Sequence, residues 1–437
     1  MNKIKVVLMM CVFAGIGAST PFAAKAQISA SDSVMAHANK QKLSVGGYGE
    51  VAYSREFFSD NVYRYAKSAN YKNDPSHGRF DIPHAVIYLS YDFGKGWTMG
   101  SEIEFEHTGT GTSYEKDYDE GGEWEQEVEK GGEVELEQFW LQKTFSKALN
   151  IRAGHIVVPI GLTNAHHEPL NFFTVYRPEG ENTIFPCTWH QTGISIWGKM
   201  QKWRYELQFL PGLDAMNFTR EGWIHNGANS AFEFTVANRY AIAARIDNYF
   251  IPGLRMGISA YYGQSFDNTY NRDANSDITK KKGAVTIGTF DFTYNAHNWI
   301  IRGNFDYGHL DDASYVSSLP GRATRISPYS QDLVGKAAIA SGFEAGWDLF
   351  SQIKKMREDK QKLYLFGHYE YYDYYIPANK KVTDYPESNI NRIALGLNYY
   401  PIPQIAIKGE YSHRFLKSQY NNEPSISIGI AYEGFFF

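Results

Sequence analysis

Trp203-Arg204-Tyr205-Glu206-Leu207-Gln208-Phe209 alternates without a break: odd positions are aromatic or aliphatic, even positions charged or amide. Successive side chains on a strand point to opposite faces, so this segment sets one apolar face against one polar face. The pattern recurs. Trp299, Ile301, Gly303, Phe305 and Tyr307 oppose Ile300, Arg302, Asn304 and Asp306. Further on, Ile407, Tyr411 and Phe415 oppose Lys408, Glu410, Ser412 and Arg414. Near Trp97, residues Met99, Ile103 and Phe105 oppose Glu102, Glu104 and Glu106. A soluble sandwich also alternates, but it turns its apolar face into a dry core. Polar faces this rich in Arg, Glu and Asp suit a water-filled lumen, with the apolar faces turned to lipid.

Along the chain the alternation predicts sixteen strands, at about 43–55, 79–93, 97–107, 132–145, 149–159, 190–199, 202–211, 231–248, 254–265, 283–295, 297–310, 335–350, 361–375, 389–400, 402–416 and 424–437. Connections carry independent information. Short ones fall at Gly94-Lys95-Gly96, Ser146-Lys147-Ala148, Ile251-Pro252-Gly253, Ala296 and Pro401, while longer ones follow the first, third, fifth and later odd strands. Short and long links in alternation are what periplasmic turns and extracellular loops produce. The expected fold is therefore all-β, a transmembrane antiparallel up-and-down β-barrel of about 16 strands. Two irregularities stand out. Ser351 to Lys360 is long and basic for a turn. In the last strand Ile426, Ile428, Ile430 and Tyr432 share a face while Phe435 and Phe437 have the other parity, so a bulge near Gly434 is expected to restore the phase.

Composition agrees. Past the N-terminal segment no stretch approaches ~18 consecutive apolar residues. Mean hydropathy is −0.43, yet aromatics are 16% of the chain, with 32 Tyr and 28 Phe. A barrel reconciles these values, because only every second strand residue meets lipid while aromatic girdles raise the ring count. Lys3 and Lys5 precede the apolar run from Val6 to Ile16, and Ala24-Lys25-Ala26 reads as a small-x-small cleavage site. Residues 1–26 are thus expected to be a cleaved signal peptide; the run is too short for the ~20 apolar residues of an anchor helix. Cleavage leaves 411 of 437 residues and, by removing Lys3, Lys5 and Lys25, takes the net charge from −5 to −8. Such a balance argues against nucleic acid as a partner. Cys187 alone remains among the cysteines, so no internal disulfide framework is expected. Residues 27–42 are expected to be a short periplasmic segment and 43–437 an outer-membrane barrel in contact with outer-membrane lipid. The closing Phe435-Phe436-Phe437 carries the terminal aromatic signature that outer-membrane barrels share, with Phe437 the expected contact for barrel-assembly machinery.

Candidate chemistry is sparse. The stretch from Tyr114 to Glu137 holds eleven acidic residues against Lys116 and Lys130. It has no EF-hand pattern and reads as a solvated extracellular loop in preference to a divalent-cation site. His155, His166, His167 and His190 lie near one another in sequence, but adjacent side chains on a strand point apart, and no paired ligand spacing appears. No metal and no cofactor are expected. Without a Gly-x-Ser-x-Gly elbow, no catalytic residue is expected either. The segment from Arg152 to Gly198 is the most informative. A strand leads into about thirty residues rich in Pro, Phe and Tyr, including Phe172, Phe173, Tyr176, Arg177, Glu179 and Trp189. So aromatic a loop is costly to leave in water, and folding inward against the barrel wall, where it narrows the pore, would stabilise it. Parity also places Arg152, Arg204, Arg239, Arg245 and Arg255 on the lumen side of strands five, seven, eight and nine. Glu102, Glu104 and Glu106 fall on the lumen side of strand three, with Glu135 and Glu137 candidates to join them. Basic and acidic residues would then line different walls of the pore. The alternative is dispersed lumen charges, each paired with a neighbour such as Glu206 or Asp247.

The runs Arg152-Ala153-Gly154-His155-Ile156, Pro159-Ile160-Gly161, Tyr176-Arg177-Pro178-Glu179-Gly180-Glu181-Asn182 and Trp189-His190-Gln191-Thr192-Gly193 together resemble the phosphate-selective porin O and P family. More faintly, the similarity covers most of the chain past residue 26. It implies a sixteen-stranded, trimeric outer-membrane channel with an inward-folded third extracellular loop. The family's anion ladder does not map residue by residue onto this chain. The expected activity is passive diffusion of small hydrophilic solutes or ions, with anions such as phosphate implied by the resemblance alone. The rival is an outer-membrane adhesin or structural barrel with a closed lumen. A gated receptor-transporter does not fit, because 411 residues cannot supply a plug and about 22 strands.

Overall fold

The computed structural model describes residues 42–74, 77–117, 125–186, 188–230, 234–268, 281–319, 332–378, 385–417 and 422–436, with Arg322 and Tyr329; for 108–117 and 125–133 it describes the backbone only. The expected leader, the segment 27–41, Cys187 and Phe437 lie outside the described residues.

Seventeen β-segments follow in chain order. These are β1 Leu43–Glu56, β2 Gly78–Asp81, β3 His84–Gly94, β4 Trp97–Asp117, β5 Glu125–Ser146, β6 Leu149–Val157, β7 His190–Met200, β8 Trp203–Pro211 and β9 Tyr240–Asn248. Then come β10 Leu254–Gln264, β11 Ala284–Ala296, β12 Trp299–Leu310, β13 Ala337–Asp348, β14 Lys362–Ile376, β15 Asn389–Ile402, β16 Ile405–Leu416 and β17 Asn422–Phe435. From β3 onward each pairs antiparallel with the next, and β1 closes the ring by pairing with both β17 and β3. The barrel has sixteen strands because β2 and β3 are one strand broken at Ile82-Pro83. Both pieces pair with β1, at Ala52↔Asp81 and Gly49↔Ala85, so the broken strand carries one extra residue across the gap. Pro83 has no N–H to give to the ladder, and a bulge accommodates it there.

The opening heptapeptide becomes β8, and its two faces separate as the alternation requires. Trp203, Leu207 and Phe209 stand on the outside, with Leu207 48% exposed, while Arg204, Glu206 and Gln208 are buried within. Leu141, Ile258, Leu365, Leu395 and Ile428 are likewise exposed on the outer face of other strands. An apolar belt of this kind is matched by hydrocarbon, not water. Rings gather at the rim that carries the short turns. Trp203 packs on Phe250 at 5.6 Å, Trp299 on Trp347 at 6.2 Å, and Tyr91 on Phe93 at 4.9 Å. This is the girdle expected where a barrel meets an interface. Among the described residues no helix is long and apolar enough to cross a membrane.

Three expectations need correction. The strand expected from 231 begins only at Tyr240. The residues just before it serve a loop: Asn238 donates to the Asp267 carbonyl, and Arg239 pairs with Asp267 at 2.6 Å. Much of the acidic stretch is not loop. The backbones of β4 and β5 keep pairing past the barrel wall as far as Asp117↔Glu125, with register shifts at Glu102/Ile103 and Glu106/Gly111. β3 stops at His84↔Glu106, so beyond that level the two strands pair only with each other. Last, Gly434 carries no bulge. The β1–β17 register runs unbroken through Gly47↔Gly434 and Gly46↔Phe435. Phe435 turns inward and stacks on Tyr88 at 5.9 Å, and Phe436 takes the outward position, 61% exposed. The basic stretch after β13 is a short 3-10 turn, Leu349–Gln352, followed by one helical turn, Lys354–Glu358, with the Asp348 carboxylate capping Phe350 N at 3.1 Å.

Candidate functional site

The chain leaves β6 and does not return to the wall until β7. Its neck is a backbone bond from Val158 N to Trp189 O, 2.8 Å. Asn164 fastens the neck from inside: its Nδ2 donates to Val158 O at 2.6 Å, and its Oδ1 accepts from Trp189 N at 2.5 Å. Glu181, in the short helix Glu179–Ile184, reaches back and accepts from Leu162 N at 2.9 Å and Asn164 N at 3.0 Å. Gly161 makes this possible. Its φ is +78°, and a Cβ there would lie 2.1 Å from Glu181 Oε1. Glu181 is buried, in the loop and outside the spanning strands, and burial pushes its carboxyl up to about 7.

From this neck the loop crosses the lumen and is held by side chains of the far wall. On β16, Lys408 donates to three loop carbonyls, Pro169 at 2.5 Å, Thr174 at 2.9 Å and Phe172 at 3.0 Å. Glu344 of β13, Glu410 of β16 and Glu370 of β14 accept from Phe173 N, Val175 N and Gly180 N at 3.3, 3.1 and 3.0 Å. Glu179 receives Arg414 in a two-pronged pair, 2.7 and 2.8 Å, as well as Arg392 and the Tyr372 hydroxyl. Phe173 stacks on Phe366 of β14 at 5.3 Å. Loop backbone that leaves water must find partners elsewhere, and here lumen-facing carboxylates and one ammonium supply many of them.

The sequence-expected loop residues take these places. Phe172, Phe173 and Trp189 are buried, Tyr176 is half-buried, and Glu179 is held by Arg414. Arg177 donates to Tyr48 Oη at 3.3 Å and Thr188 Oγ1 at 3.2 Å and lies 3.8 Å from Glu104.

Four of the five expected arginines come together along β6 to β10. Arg204, Arg245 and Arg255 share Glu206, Asp247 and Asp291, with contacts from 2.5 to 3.8 Å. Arg245 also donates to Gly161 O at 2.8 Å, tying this network to the loop's neck. Arg152 lies over the rings of Trp140 and Trp197, 4.6 and 5.5 Å away, and donates to Gln142. Arg239 stands apart at the rim with Asp267. On the adjoining wall, β4 and β5, Glu102 and Glu104 are buried and Glu106 is partly exposed. The register shift beside Glu102 lets Glu137, fully buried, join them. His84 Nδ1 lies 2.7 Å from Glu104, and Gln138 hydrogen-bonds Glu102.

Asp291, Glu344, Glu370 and Arg392 were not singled out from sequence. Parity marks such residues as lumen-facing, as it marked Lys408, Glu410 and Arg414. That Glu344, Glu370 and Arg392 grip a loop more than a hundred residues away in sequence has no local signal.

No family model matches the chain. An uncharacterized protein of Aquifex aeolicus is 26% identical over 386 residues, covering 88% of this chain and 78% of that protein. Among solved structures, Salmonella typhi OmpF in complex with daunomycin has a TM-score of 0.51 at 9% identity, covering 90% of this chain and 97% of that one. The outer membrane channel DcaP of Acinetobacter baumannii has a TM-score of 0.50 at 10% identity, with the same coverage. At these identities the likeness is one of fold, the barrel of outer-membrane porins.

Proposed function

We propose that this chain is an outer-membrane channel of the porin kind, a passive path for small hydrophilic solutes that does no chemistry of its own. One observation carries the reading. A loop lies across the lumen and is fastened to the walls by inward-facing charges, while the outer face is an apolar belt. In a channel so built, the cross-section left beside the loop sets the size of what passes, and the lumen charges set its sign. Removal of residues 1–26 on export and assembly as a homotrimer belong to this proposal, on the strength of the leader pattern and the family resemblance.

Phosphate selectivity is a finer question, and the charges lean the other way. Arg204, Arg245 and Arg255 already hold carboxylates. On the adjoining β4–β5 wall Glu102, Glu104 and Glu137 converge around Arg177. This balance favours cations.

A second reading, a barrel with a closed lumen, has its own support. Loop and wall side chains bury one another closely: Phe172, Phe173 and Trp189 of the loop are buried, and Phe173 packs on Phe366 of the far wall. Planar-bilayer recording of the purified protein decides between them. Steps of conductance with a measurable reversal potential across a salt gradient support the channel; a reconstituted, folded barrel that passes no current refutes it.

A further inference from the structure

We propose that Glu102, Glu137 and His167 form a binding site for one divalent transition-metal cation of the zinc class, inside the barrel where the inward-folded loop meets the β4–β5 wall. A carboxylate oxygen from each glutamate and a ring nitrogen of His167 all lie within 4.8 Å of one another, and all three residues are buried, at 0%, 0% and 1% exposure. His167 Nε2 and Glu102 Oε1 are 3.6 Å apart. Two ligands on a tetrahedral zinc, with bonds near 2.1 Å, sit about 3.4 Å apart. Small side-chain rotations therefore bring the three atoms onto one ion.

The hydrogen bonding points to an ion as well. Both oxygens of Glu137, Oε1 of Glu102 and Nε2 of His167 are buried without a hydrogen-bond partner. Buried carboxylates so placed are costly unless something positive compensates them. The remaining atoms of the set are already spoken for in the way that orients metal ligands. His167 Nδ1 lies 3.1 Å from the Asn164 carbonyl oxygen, which can only accept, so Nδ1 carries a proton, and Nε2 is the nitrogen that faces Glu102 and would lose any proton of its own to a metal. Gln138 donates to the other oxygen of Glu102. Charge agrees: Glu102, Glu104 and Glu137 crowd one volume with Arg177, which lies 3.8 Å from Glu104. One nitrogen and two carboxylate ligands suit zinc and its neighbours better than calcium or magnesium, which prefer oxygen throughout.

An approach exists on the same strand. Two positions along β4, Glu106 and Glu104 make a second three-ligand group with His84, and there Glu106 and His84 are partly exposed. Glu106, Glu104 and Glu102 thus step from accessible to buried along one lumen face. Because His167 belongs to the loop and the glutamates to the wall, a bound ion would also clamp the loop in place. The sequence argued against metal because adjacent His166 and His167 offered no paired spacing; the partners come from two strands far off in the chain.

The test uses the full chain, folded in detergent, stripped with a strong chelator and titrated with zinc by calorimetry, with bound metal counted by elemental analysis. The expected result is one tightly held ion per chain and, with cobalt in its place, the intense visible bands of a tetrahedral site. Glu137→Gln and His167→Gln each remove a ligand at nearly constant size and are expected to weaken binding by about tenfold or more. Glu106→Gln touches only the outer group and is expected to leave the tight site as it is. Heat-modifiable mobility on gels reports folding of each variant. A folded wild-type chain that takes up no zinc after stripping overturns the proposal, and so do Glu137→Gln and His167→Gln chains that bind as wild type does. Loss of the ion on Glu106→Gln alone overturns it too, by moving the ion to the outer group. If a variant does not fold, the wild-type titration still decides, because a folded chain that takes up no zinc after stripping has no such site.

Discussion

Gly161 shows how much of the loop's course rests on one residue. Its positive φ and the closeness of the Glu181 carboxylate leave no place for a side chain. Gly161→Ala is expected to cost about 1–3 kcal/mol of backbone strain at the neck. The strain falls on loop seating and not on the barrel, so limited proteolysis should cut within 162–189 while heat-modifiable mobility is retained. Unchanged resistance to the protease would show that the neck tolerates a Cβ. The arginines make a second residue-scale case. Arg204 pairs with Glu206 at 2.6 Å inside the lumen. Arg204→Gln leaves that carboxylate less compensated, so the reversal potential across a salt gradient is expected to move toward cations. The move should be larger in dilute salt, where the Debye length is longer than ~10 Å. An identical potential in dilute salt would mean that this network does not reach the permeant ion.

Among the elements, the loop between β6 and β7 holds the decisive balance. Its backbone leaves water, and Lys408, Glu344, Glu370 and Glu410 replace what water gave. Shortening the loop between Ala165 and Pro186 removes that cross-strut while the hydrogen-bonded ring stays whole. Single-channel current is therefore expected to rise severalfold; an unchanged current would place the ion path elsewhere. The β4–β5 hairpin teaches the opposite lesson about reading charge. A run of Glu reads as solvated loop, yet an antiparallel pair needs only its backbone groups to meet, and alternating Glu with Val, Tyr or Leu is compatible with a ladder. In β17, parity at Phe435 was legible, but the remedy was not. With Tyr88 inside the barrel to receive it, an inward ring needs no bulge.

For the whole molecule, inside and outside exchange their usual roles: the polar residues are within, and Leu, Ile, Phe and Trp cover the surface. Leu207→Arg, on the outward face of β8, is thus expected to cost about 2–4 kcal/mol if it lies near the bilayer midplane. Equilibrium unfolding from lipid vesicles measures this cost. A cost near zero would mean that the face does not meet hydrocarbon.

The barrel was legible in the chain alone. A period of two is a local property, carried by each strand alone, so β8 or β12 can be read without knowing its neighbours. Strand count and the alternation of short turns and long loops followed from that period and from where it lapses, and the inward loop from the aromatic content of the segment after β6. Starts such as Tyr240 were less legible, because the residues before it are tied to Asp267 and Asn268 of another loop. Pairing came into view only with the closed ring. Parity put Arg204, Arg245 and Arg255 in the lumen, but their sharing of Glu206, Asp247 and Asp291 depends on register between strands. The same holds for Lys408 under Phe172 and for His167 beside Glu102 and Glu137. Charges act over a few ångströms in space and carry no mark in the sequence of which partner the closed ring will bring to them.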